Sequence, residues 1–161
     1  MAIGTAVSFR QRLWRYAPVL LWVSIILFLG SNPGSMSETS RFIRPLLQFL
    51  FPDSTEATID LIHGYIRKSA HLFEYAVLAA LTARALVGSS VSTLKKFSYA
   101  VALLLVLVVA SIDEFHQSYE PSRTSSPYDV LIDITGGVLA LVIVYGITAL
   151  IRRRERTAPA A

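Results

Sequence analysis

The chain contains no cysteine among its 161 residues. That absence excludes disulfides, thiolate metal sites and a cysteine nucleophile. Charge is also scarce: Asp, Glu, Lys and Arg together make up 16%, against 53% hydrophobic residues and a mean hydropathy of +0.53. A soluble domain needs far more charge, so these values place the chain among helical membrane proteins. No Gly-rich phosphate cradle and no metal-ligand spacing occurs, and no cofactor is expected. The net charge of +4 points to no nucleic-acid partner, because the basic residues flank apolar runs instead of lining one face.

The apolar content is concentrated in four runs, at about 16–31, 69–86, 97–112 and 128–151. Each is near the short limit of roughly 17–25 residues for a span. Backbone groups in lipid must be satisfied within the segment, so the expected fold is an all-α integral membrane bundle of four transmembrane helices in a single domain. The first run follows Arg10, Arg12 and Arg15 and ends at Ser31-Asn32-Pro33-Gly34. No small-x-small cleavage pattern follows it, which predicts an anchor and not a signal peptide. Between the first two spans, Arg41 to Phe51 mixes arginine with Phe42, Leu46, Leu47, Phe49 and Leu50, the pattern of an interfacial amphipathic helix, with an ordinary external loop as the alternative. Asp53-Ser54-Thr55-Glu56 reads as a capping box opening a short helix that feeds the second span.

With both termini inside, the inner side holds Arg10, Arg12, Arg15, Arg84, Lys95, Lys96, Arg152, Arg153, Arg154 and Arg156, ten of the fifteen basic residues. That two-to-one bias predicts cytoplasmic N and C termini in a multi-pass protein of the cytoplasmic membrane. At about 1.5 Å of rise per residue, Lys68 stands roughly 24 Å from Arg84, Asp113 roughly 26 Å from Lys96 and Asp133 roughly 28 Å from Arg152. All three therefore reach one outer level. His71 and Glu74 lie deeper and should point into the bundle, since ionisable groups in lipid are costly.

Helical spacing sorts the faces. Lys68, His71 and Tyr75 share a stripe; Asp113 and Gln117 are four apart, as are Asp129 and Asp133. Gly136 and Gly137 allow close helix approach. Arg123 sits in the loop behind Pro121, free to fold over the mouth. Simpler structural roles stand beside these. Asp129 follows Ser126-Pro127-Tyr128 and can merely cap the fourth span. Asp113 or Glu114 can pair with Lys68 or Arg123 as bundle glue. His116 falls between faces and reads as solvent-facing, His63 has no partner pattern, and Arg152-Arg153-Arg154 reads as a topology signal only.

The ordered set Lys68-x-x-His71-x-x-x-Tyr75, Asp113-Glu114-x-His116-Gln117, Pro121-x-Arg123 and Asp129-x-x-x-Asp133-x-x-Gly136 resembles the VanZ-like family over about residues 60–145. The resemblance implies a small bacterial membrane protein of the cell envelope, in a family named for a teicoplanin-resistance determinant. Many members carry asparagine where Asp133 stands and glycine where Ser122 stands; neither departure breaks the pattern. The resemblance establishes no reaction, so chemistry rests on the residues. In an enzyme acting on a lipid-linked envelope precursor at the outer face, His71 is the acid–base group. Glu114 or Asp113 orients it, while Lys68 and Arg123 hold a phosphate or carboxylate. Gln117, Tyr75, Asp129 and Asp133 complete the substrate-binding set. The alternative is a binding protein that masks a precursor or an antibiotic with the same groups. Against a proton-coupled carrier, the polar cluster lies at one end and the inner halves of the spans are apolar.

Overall fold

The computed structural model describes residues 8–31, 36–119 and 126–157. Among them every regular element is helical: α1 (Phe9–Gly30), α2 (Met36–Leu50), α3 (Glu56–Val87), α4 (Ser92–Lys96), α5 (Ser98–Gln117) and α6 (Pro127–Thr157). Four of these, α1, α3, α5 and α6, are long and apolar enough to cross a membrane. The protein is thus an all-α multi-pass membrane bundle, with the shorter α2 between its first two spans.

Element boundaries differ from the expected runs for local reasons. Helix α1 starts at Phe9, ahead of its apolar run, because Ser8 and Gln11 form a reciprocal capping box; the arginines lie inside the helix. The expected short helix before the second span does not exist separately. Thr55 caps α3 by accepting from the Thr58 N–H at 3.3 Å, and the helix then runs unbroken for 32 residues. Gly64 costs such a helix only about 1 kcal/mol, and no proline interrupts it. Glu56, expected to complete a capping box, pairs instead with Arg44 of α2.

Helix α3 is the central element and packs against α1, α2, α5 and α6. Tyr75, Leu78, Ala79 and Ala83 of α3 meet Ala102, Val106 and Ala110 of α5 and Ile26 of α1, all buried. Alanine and glycine at these contacts let backbones approach, which is how packing is gained where lipid offers no hydrophobic drive between helices. The Gly136 position is the extreme case: a Cβ there would stand 2.2 Å from the Leu72 carbonyl oxygen. The Trp22 indole of α1 donates to the Glu74 carbonyl of α3 at 2.8 Å. Large apolar side chains such as Leu20, Phe28, Phe73, Leu104, Leu139 and Ile143 point outward, as a lipid-facing surface requires. Tyr65, Phe115, Tyr119 and Tyr128, exposed at one end of the bundle, suit a membrane–water boundary.

Helix α2 lies along the start of α3 with Leu47 buried and Arg44 half-buried on its inner side. Arg44 pairs with both Glu56 and Asp60, and Gln48 donates to Glu56 at 3.1 Å. Phe42 and Phe49 face out, 80% and 82% exposed, the arrangement of a helix resting its apolar side on a bilayer surface. His63, read from sequence as partnerless, is buried under α2. Its ring nitrogens meet the Thr39 and Ser40 hydroxyls at 3.1 and 3.3 Å.

Candidate functional site

The site is assembled where α3 and α6 cross. The contact of Gly136 with the Leu72 backbone brings two facing stripes together, Lys68–His71–Tyr75 on α3 and Asp129–Asp133 on α6. Two side-chain contacts follow at successive levels. Lys68 Nζ lies 3.3 Å from Asp129 Oδ1, and His71 Nδ1 lies 3.6 Å from Asp133 Oδ1. The second distance exceeds a hydrogen bond, and neither atom has a hydrogen-bond partner among the described residues. The Asp133 side chain is only 3% exposed, so its attraction for His71 is weakly screened. With Nδ1 turned toward Asp133, Nε2 is the nitrogen left for a proton acceptor or a ligand.

One turn deeper, α5 contributes a second buried carboxylate. Asp113 accepts from the Tyr75 hydroxyl at 3.4 Å and from the Gln117 amide at 2.8 Å. All three side chains are buried. The end of α1 closes over this group so tightly that a Cβ on Gly30 would come within 1.8 Å of Asp113 Oδ1. Glu114 accepts from the Ser126 backbone N–H, anchoring the start of α6 to α5. Ser126 itself caps α6, its hydroxyl accepting from the Tyr128 N–H at 3.2 Å. Asp129 lies in the first turn, where a carboxylate complements the helix dipole. Its side chain also reaches Lys68, so capping does not exhaust its contacts.

The expected residues are thus distributed unevenly. Lys68, His71, Asp129 and Asp133 converge on one cavity of about 280 Å³, together with Gly64, Arg67, Ser126 and Ile132. Tyr75, Asp113 and Gln117 form the adjoining buried triad. Glu114 serves the α5–α6 junction, and the carboxylate facing His71 is Asp133 where Glu114 or Asp113 was expected. His116 is exposed. Arg123, with Pro121 and Ser122, lies outside the described residues. Among those described, no group of three or more His, Asp or Glu converges as a metal site.

Two contributors were given no role by the sequence. Arg67 is half-buried and lines the cavity; its i, i+4 relation to His71 was the available signal. Gly30 had no such signal, because a glycine at the end of a span reads simply as the start of a turn.

Fold and cluster together define a class: a multi-pass helical membrane protein with ionisable residues sunk into one end of its bundle. A family model described as VanZ/LLP1 matches residues 16–151, and the chain belongs to that family. No curated protein and no solved structure gives a significant match.

Proposed function

We propose that this protein acts on the head group of a lipid-linked cell-envelope precursor at the outer face of the bacterial cytoplasmic membrane. A phosphate or carboxylate of the head group enters the cavity between α3 and α6, drawn by Arg67 and Lys68. His71, oriented by Asp133 through Nδ1, exchanges a proton with a head-group oxygen through Nε2. The observation that carries this reading is the His71–Asp133 pair at the α3–α6 crossing, its carboxylate buried, opening onto a cavity whose wall also carries Arg67, Lys68 and Asp129. Such a pair is expensive to keep at this depth unless it is used. Arg123, from its place in the sequence, is a further ligand for the anion. Membership of a family named for a teicoplanin-resistance determinant supports lowered glycopeptide susceptibility as the cellular readout.

A second reading is recognition without chemistry. The Lys68–Asp129 pair presents both signs of charge at the mouth, which suits a zwitterionic or peptide-bearing head group. His71→Gln separates the two, because glutamine keeps hydrogen bonding but has no acid–base function near neutral pH. Binding of lipid-linked precursor to the purified variant, paired with glycopeptide susceptibility in a null strain, is the test. Retained binding with lost susceptibility function supports proton transfer. Full function with His71→Gln leaves recognition alone, and there Lys68→Gln is the damaging change.

A further inference from the structure

The opposite end of the same three spans carries a second cavity, independent of the polar cluster. About 24 Å along α3 from Lys68, Arg84, Lys95, Lys96, Arg152 and Arg153 surround a space of about 670 Å³. Among the described residues no carboxylate lines it. Five cations on one concave wall focus a positive potential and draw an anion. Their chain positions explain the convergence: Arg84 lies in the last turn of α3, the two lysines end α4, and the two arginines end the apolar part of α6.

The cavity continues into the membrane-facing surface. Tyr99 of α5 and Tyr145 of α6 line it, their rings meeting edge-to-face with centroids 6.2 Å apart. The same two tyrosines open an apolar groove of about 440 Å³ between α5 and α6, lined by Ala100, Leu103, Val138 and Val142. A soluble anion would use the basic wall and leave the groove without a role. A phosphate joined to an acyl chain uses both, with the amphipathic tyrosines at the boundary between head group and tail.

We infer that this end of the bundle holds an anionic phospholipid of the adjoining leaflet, its phosphate among Arg84, Lys96 and Arg152 and one acyl chain along the α5–α6 groove. The basic residues that read in sequence as topology signals are then also a head-group site.

Native mass spectrometry of the full-length protein, released from nanodiscs of phosphatidylglycerol or of phosphatidylcholine, reads the bound lipid directly. Phosphatidylglycerol should be retained about tenfold over phosphatidylcholine, as several Lys and Arg contacts to one head group imply. The triple variant Arg84→Gln, Lys96→Gln, Arg152→Gln should bring retention down to the phosphatidylcholine level. Ala100→Trp leaves every charge in place and alters an exposed position, yet fills the groove and should also release the lipid. Equal retention of both lipids by the unaltered protein overturns the assignment. So does an unchanged phosphatidylglycerol adduct in either variant. Displacement of the lipid by millimolar inorganic phosphate would assign the cations to a soluble anion and equally defeat it.

Discussion

Gly136 decides whether His71 and Asp133 can meet. A side chain there must push α6 away from the Leu72 carbonyl, which is backbone and cannot rotate aside. Gly136→Ala should therefore cost about 1–3 kcal/mol of stability as forced overpacking. At Gly64 a Cβ would meet nothing within 4 Å, so Gly64→Ala should gain up to about 1 kcal/mol of helix propensity. Unfolding in detergent micelles measures both, and equal responses would contradict the close crossing. His71 and Asp133 form one unit, so alanine at either should cause most of the loss of the proposed function that the double change causes, with a coupling of about 0.5–3 kcal/mol. Additive losses would mean two separate roles. The stripe Lys68–His71–Tyr75 and the pair Asp129–Asp133 were legible because helical spacing alone puts each set on one face. Which carboxylate faces which partner was not. That depends on the rotation of α5 and α6 about their axes, set by Gly136 against Leu72 and by Gly30 against Asp113.

At the scale of elements, α2 is the part whose attachment is least obvious from sequence. Its amphipathic pattern announced an interfacial helix, but gave no hint of what the helix grips. His63 was silent because its partners, Thr39 and Ser40, are on another helix and carry no charge to flag a pairing. Two attachments hold α2, and they should differ in strength. Arg44 and its carboxylates are partly exposed, and ion pairs in contact with solvent contribute about 0–1 kcal/mol. His63 is buried, so His63→Ala deprives two hydroxyls of a partner at about 1–3 kcal/mol. Hydrogen exchange over residues 36–50 should therefore quicken more in His63→Ala than in Arg44→Ala. The reverse order would show that the exposed ion pairs hold the helix.

For the whole molecule, four spans were legible because each apolar run nears the length of a span and is set off by charge or by a turn. The length of α3 was not, since hydropathy fades before Ser69 while the helix itself starts at Glu56. The two ends of the bundle differ chemically: buried carboxylates and His71 gather at one, beside Arg67 and Lys68, whereas among the described residues the charged ones lining the cavity at the other are all arginine or lysine. The positive-inside bias of the sequence predicts that the carboxylate end faces outside. The absence of cysteine gives a clean background for testing this and the site together. Gly64→Cys places a thiol on the wall of the α3–α6 cavity without steric conflict, and Ser90→Cys places one in the exposed turn at the basic end. In intact cells a membrane-impermeant maleimide should label position 64 and leave position 90 untouched until the membrane is opened. In proteoliposomes, lipid-linked precursor should slow labelling at position 64 alone. Labelling of position 90 from outside, or labelling of position 64 that precursor does not slow, would contradict an outward-facing head-group site.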